Sequence, residues 1–227
     1  MVKIRILIVD DHAVLREGMR HLLEQEKDLE VVGEAGDGEE AVRLVSELKP
    51  DVVLMDIVMP KLNGVEATKS IKQLVPATNV LILTAYSDIR YILGLLEAGA
   101  CGYLLKSARS DEIIGAIHAV YSGESVLDSV VTRKLLQRVI GVGKGAHEGG
   151  AKEQLSRREI EILKLAARGM SNKDIANTLF LSVRTVKAHL TNVFNKMGVG
   201  CRTDAIIKAL REGYITLDDI PPETEGE

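Results

Sequence analysis

The sequence predicts an α/β domain, a doubly wound five-stranded parallel sheet, followed by a separate all-α domain. Three observations carry that expectation. Short apolar runs, each ending on a polar side chain, alternate with stretches of helical period between residues 4 and 122. A stretch too rich in glycine for any regular element then breaks the chain, Gly141-Val-Gly-Lys-Gly-Ala-His-Glu-Gly-Gly150. Beyond it every periodic segment is helical.

The first strand, Ile4–Val9, is apolar apart from Arg5 and ends in Asp10-Asp11. Val14, Leu15, Met19, Leu22 and Leu23 then share one face of a helix. Residues 29–32 form a second strand. Ala41, Val42, Leu44, Val45 and Leu48 mark a second helix, stopped by Pro50. The third strand, 51–55, delivers Asp56, and Pro60 and Gly64 punctuate the loop behind it before a helix at 65–74. Asn79–Thr84 is the fourth strand and a helix covers about 88–98, with Gly99 as its stop. Gly102-Tyr-Leu-Leu105 is the fifth strand and presents Lys106, and Ile113, Ile114, Ile117 and Val120 mark a fifth helix. With right-handed crossovers this alternation gives a sheet of flavodoxin-like order.

Domain limits follow at 1–124, at a linker 125–152 that keeps some helical period (Val131, Leu135, Val139) before its glycines at 141–150, at 153–214, and at an acidic tail 215–227 expected to be disordered. Within 153–214, Ser156-Arg-Arg-Glu159 has capping-box spacing and opens a helix ended by Gly169. Ser171-Asn-Lys-Asp174 repeats the start signal for a short helix. Phe180-Leu181 is a tight turn, and Ser182 caps a helix along Val186, Leu190, Val193 and Met197. A fourth helix carries Ile206, Ala209 and Leu210. Short helix, tight turn and second helix form the plan of a helix-turn-helix unit.

Charge separates the two parts. Residues 1–152 carry 18 basic and 22 acidic side chains, 153–214 carry 11 and 6, and the tail has five acids and no base. A basic segment inside an acidic chain points to a polyanionic partner for that segment. No apolar run is long enough to span a bilayer, and the N-terminus lacks a signal-peptide plan, so the expected location is the cytoplasm with no membrane partner. Cys101 and Cys201 are far apart in sequence and form no metal spacing; both read as packed thiols.

Ligands of open parallel sheets bind outside the carboxyl ends of the strands. There the sequence gathers Asp10 and Asp11, Asp56, Thr84 and Lys106. Three carboxylates in one crevice need a cation, and oxygen-only ligands suit a hard ion, Mg²⁺. Such a site can bind a phosphoryl group, with Lys106 as a point charge, the Thr84 hydroxyl as donor and one carboxylate as nucleophile.

Residues 1–122 resemble the receiver domain of two-component response regulators through Val9-Asp-Asp-His12, Met55-Asp-Ile-Val-Met-Pro60, Leu83-Thr-Ala85 and Tyr103-Leu-Leu-Lys106. Residues 155–210 resemble the LuxR-type DNA-binding domain through Leu155-Ser-Arg-Arg-Glu-Ile, Gly169-Met-Ser-Asn-Lys-Asp-Ile-Ala176 and Thr185-Val-Lys-Ala-His-Leu190. Together they resemble the NarL/FixJ family over nearly the whole chain. The resemblance implies Asp56 as phosphoacceptor and Asp10, Asp11, Asp56 and the Val58 carbonyl as metal ligands. It implies Thr84 and Tyr103 as a switch pair. It also implies a cognate histidine kinase, promoter DNA and RNA polymerase as partners, and a homodimer when phosphorylated or on DNA, built partly on the helix near 203–212. Ala85 and Tyr86 flank the site, and Tyr86 is expected to hinder water attack on the acyl phosphate.

On the recognition helix the outward residues are Arg184, Thr185, Lys187, Ala188 and Thr191. Lys187 can reach guanine acceptors, and Ala188 or the Thr191 methyl can touch a thymine methyl. Asn172, Lys173, Thr185 and Arg202 suit phosphates. Thr191 departs from the longer polar or basic residue frequent in the family, and the acidic tail is longer than expected. Two rival functions remain. One is a regulator that needs no phosphate and uses the first domain as an interaction module. The other is an Asp-nucleophile phosphatase of the haloacid-dehalogenase kind, against which stands Val58 where that chemistry places its second acid.

Overall fold

In the computed structural model the described residues are 3–85, 89–126, 154–216 and 219. The first domain contains β1 (Ile4–Val9), α1 (Ala13–Glu24), β2 (Leu29–Ala35), α2 (Gly38–Leu48), β3 (Val52–Met55), α3 (Gly64–Leu74), β4 (Asn79–Thr84), α4 (Ile89–Glu97), β5 (Gly102–Leu105) and α5 (Ser110–Tyr121). The five strands are parallel in the order β2-β1-β3-β4-β5. The helical period expected at 131–139, the glycine joint and Tyr86 lie outside the described residues.

Strand alternation sorts the core into two layers, because successive side chains leave opposite faces of a sheet. Leu7, Val9, Val53, Met55, Val80 and Ile82 pack on one face with Ala41, Val45, Ala67, Ile71, Leu95 and Leu96 of α2, α3 and α4. Ile6, Ile8, Val52, Leu54, Leu81 and Leu83 pack on the other with Met19 and Leu23 of α1 and Ile113, Ile117 and Val120 of α5. Central strands buried on both faces explain why their sequences read as continuous apolar runs. Val14 and Leu15, expected on the inner face of α1, are exposed.

The second domain is four helices: α6 (Arg157–Ala167), α7 (Asn172–Leu179), α8 (Val183–Met197) and α9 (Arg202–Arg211). Ser156, Ser171 and Ser182 each accept a hydrogen bond from the amide three residues on, satisfying donors the helix leaves free. Phe180 adopts the left-handed conformation, with φ 55°, at the turn between α7 and α8. Its core comprises Leu163, Val193, Met197, Ala205 and Leu210 beside Ile162, Ile175, Val186 and Leu190. The domain runs past the expected limit at 214, since Ile215 is buried against it. Asp219, in the segment expected to be disordered, pairs with Lys164 at 3.0 Å.

Glu159 closes the α6 capping box and also meets Lys196 of α8 at 2.9 Å. Burial disfavours its charge, yet the Ser156 amide and the Lys196 ammonium outweigh burial and hold its carboxyl below the ordinary range. A depressed carboxylate contributes stability that is complete above the unfolded value and lost as pH falls through the folded one. Glu159→Gln should therefore melt a few degrees below the parent near pH 7, and the gap should close as the pH falls below the ordinary glutamate range. Thermal unfolding followed by circular dichroism checks it; a gap independent of pH would refute the assignment.

Candidate functional site

Register builds the site. Val9 pairs with Met55 and Thr84 with Leu105, so Asp10, Asp56 and Lys106 emerge side by side just past the carboxyl ends of β1, β3 and β5. The Asp56 amide donates to the Val9 carbonyl at 2.8 Å, and the Lys106 amide to the Thr84 carbonyl at 2.7 Å, which extends the ladder into the site. Asp10 and Asp56 are buried, and the Lys106 ammonium lies 2.7 Å from an oxygen of each. Burial works against the Lys106 charge, but the bonds to Asp10 and Asp56 outweigh it and raise its pKa. The other Asp56 oxygen accepts from the Ile57 amide at 2.7 Å, which fixes the carboxylate plane. Thr84 is fully buried beneath the site, and Tyr103 is half-buried against the α2–α4 layer of the core.

Oxygens of Asp10, Asp11 and Asp56 and a ring nitrogen of His12 lie within 4.8 Å of one another. The donor set is oxygen-rich and acidic, which fits a hard divalent cation. His12 is the member that sequence reasoning left out: its Nδ1 is 2.7 Å from Asp11 and 3.2 Å from Asp10. Its only sequence signal was adjacency to the acid pair.

Gly64 supports the site from behind. A Cβ there would run into the Asp56 carbonyl and crowd Ile57. Gly64→Ala must push the β3–α3 loop outward and should cost about 1–3 kcal/mol, by the ordinary range for overpacking. Denaturant titration measures it, and an unchanged midpoint would refute the tight approach.

The recognition helix α8 keeps Val186, Leu190 and Val193 inward, while Arg184, Lys187, Ala188 and Thr191 are exposed and Thr185 is half-buried. This face is turned toward the first domain. Lys187 Nζ donates to Ser122 Oγ at 3.2 Å. Asn172 donates its side-chain amide to the Ser122 carbonyl and its backbone amide to Glu124, both at 3.1 Å, and is itself buried. Lys173 stays exposed. Arg202 corrects the sequence expectation. It is only 3% exposed and donates to the Ala166 and Met170 carbonyls, so here it ties α9 to the end of α6 and cannot reach a phosphate. Burial lowers its pKa to about 10, against a small opposing effect of Glu124. Its place at the first turn of α9 looked like a phosphate contact because side-chain direction is invisible in a basic spacing.

Among the described residues no helix is long and apolar enough to cross a membrane. The response regulator receiver domain family matches residues 6–118, and the family of bacterial regulatory proteins of the luxR type matches 153–209. The transcriptional regulatory protein LiaR of Bacillus subtilis is 44% identical over 212 residues, covering 93% of this chain and 99% of its own. The oxygen regulatory protein NreC of Staphylococcus aureus is 41% identical over 92% of this chain and 97% of its own. The crystal structure of the response regulator ChrA of a heme-sensing two-component system is 38% identical, covers 95% of this chain and all of that one, and superposes with a TM-score of 0.50. An acidic pocket at the strand ends of a 2-1-3-4-5 sheet, a helix-turn-helix domain after it and these likenesses across both halves agree: the chain belongs to the NarL/FixJ family of two-component response regulators, transcription regulators that are not conventional enzymes.

Proposed function

We propose that Asp56 accepts a phosphoryl group from a cognate sensor histidine kinase in the cytoplasm, and that this frees the second domain to dimerise and bind promoter DNA sequence-specifically, where RNA polymerase is the further partner. One observation carries the reading: the single ammonium of Lys106 bridges the buried Asp10 and Asp56 carboxylates.

In the transfer, an Asp56 oxygen attacks the phosphorus of the kinase's phosphohistidine. The phosphorus–nitrogen bond breaks, and its electron pair stays on the imidazole. Asp10, Asp11, Asp56 and the Val58 carbonyl are the residues we assign to hold Mg²⁺, which when bound supplies neutralisation of phosphoryl charge. The Val58 side chain is exposed, in keeping with a loop whose backbone is its contribution. Lys106 is within reach to pair with a new phosphoryl oxygen, at the expense of its bond to Asp56. The Thr84 hydroxyl then moves to bond another, and Tyr103 turns into the space it leaves. These shifts bias the face made by α4, β5 and α5.

That face continues into Ser122 and Glu124, which hold Lys187 and Asn172. A receiver whose Ser122, just past α5, holds the Lys187 ammonium keeps the recognition helix beside it, which supports control through opening. Once free, Lys187, Ala188 and Thr191 meet bases, with Arg184 beside them, while Asn172, Lys173 and Thr185 meet phosphates. Footprinting on genomic DNA with Mg²⁺ and beryllofluoride, against Asp56→Ala, tests the proposal. Paired half-sites protected only in the parent are expected. The same footprint in both chains would leave the first domain as a phosphate-independent interaction module.

A further inference from the structure

The chain has two cysteines, one in each domain, and the fold brings them together. Cys101 precedes β5 at the receiver's edge and Cys201 is the N-cap of α9. Both are buried in one cluster with Leu81, Ile117 and Val120. Cys201 Sγ is 4.0 Å from the Gly99 carbonyl oxygen, and Thr203 donates to the Cys101 carbonyl at 3.4 Å. Cys101 Sγ donates to Asn79 Oδ1 at 3.4 Å. The seam around them joins polar and apolar contacts: Ser125 and Thr203 hydroxyls meet at 2.8 Å, and Ile207 of α9 packs into the receiver's other layer.

We infer that Cys101 and Cys201 form a reversible disulfide that locks the recognition helix against the receiver, a redox override of the phosphorylation switch that rests on the functional reading above. With the domains together and the thiols reduced, the hydrogen bond with Cys101 and burial push the Cys201 thiol up, which holds back its reaction. When the domains part, Cys201 stands at the amino end of a helix, where thiolate is favoured. The oxidant is hydrogen peroxide. The Cys201 thiolate attacks one peroxide oxygen, the oxygen–oxygen bond breaks, and sulfenic acid and water form after proton uptake. On closure the Cys101 thiol attacks the sulfenic sulfur, the sulfur–oxygen bond breaks, and a second water leaves with the thiol proton. Two thiols are oxidised and one peroxide is reduced to two waters. Because the two thiols already share one buried cluster and a hydrogen bond across the seam, bridging needs only a short local approach. The lock then holds Lys187 on Ser122 whatever the state of Asp56.

The test uses the full chain, hydrogen peroxide and dithiothreitol, with Cys101→Ser and Cys201→Ser as controls. Peptide mapping without reductant should join the Cys101 and Cys201 peptides within one chain, with loss of two hydrogens in intact mass. Duplex DNA selected from a random pool by the reduced, beryllofluoride-treated chain is the binding probe. The oxidised parent should bind it about tenfold more weakly or less, as expected when the competent state is depleted. Dithiothreitol should restore binding, and neither serine variant should respond to peroxide. Absence of the intrachain link, a link between two chains, or an oxidised parent that binds like the reduced one overturns the inference. Failure of the reduced chain to select any DNA would instead count against the functional reading, and the peptide map decides the disulfide independently.

Discussion

Lys106→Met will cut phosphoryl uptake by Asp56 about 100-fold, the scale seen when one charged donor is removed from a developing oxyanion. The argument is electrostatic. Two buried carboxylates share one ammonium at 2.7 Å from each. Removing that charge leaves two carboxylates facing each other with no ammonium between them, and their repulsion disfavours bringing a further anionic group to Asp56. It also removes the partner the new phosphoryl group would take, so whatever label enters should not open the domains. Incorporation of phosphate from a small phosphodonor, with DNA affinity read in parallel, checks both effects. Uptake within threefold of the parent would mean that Lys106 is a packed counter-ion and nothing more.

Arg202→Met will destabilise the second domain by about 3 kcal/mol, in the range for breaking a buried charged network. The guanidinium donates to the carbonyls of Ala166, in the last turn of α6, and Met170, just past it, where helix carbonyls lack the full set of internal partners. Met fills most of the volume but donates nothing, so the Met170 carbonyl loses the guanidinium and the Ala166 carbonyl keeps only the Gly169 amide. For a domain of this size the midpoint should fall by about 15 °C. Lysine should rescue poorly, since its ammonium lacks the planar fork. Differential scanning calorimetry reads the shift. An unchanged midpoint with weakened DNA binding would restore Arg202 to the phosphate contacts.

Both effects were only half legible in the amino-acid order. Asp10, Asp56, Thr84 and Lys106 could be placed at one sheet edge because strand ends follow from local period and from the crossover rule. That Lys106 would bridge Asp10 and Asp56 could not, since it depends on the Val9–Met55 and Thr84–Leu105 registers. Arg202 was misjudged for a related reason. Its charge pattern says that a base is present, whereas its burial depends on α6, some forty residues away. Val14 shows the converse, an apolar residue at the right helical period that the fold leaves exposed.

The sequence by itself determined the two-domain plan, the capped starts of α6, α7 and α8 and the family. Each of these rests on periods and spacings within a few residues, or on motifs read as they stand. Tertiary structure alone decided that Lys187 and Asn172 meet Ser122, that His12 joins the acid cluster, and that Cys101 comes to lie with Cys201. Those contacts join residues brought together by packing, or side chains whose direction the backbone sets. Local pattern does not encode how two surfaces close over each other, because that depends on the summed burial and hydrogen bonding of both.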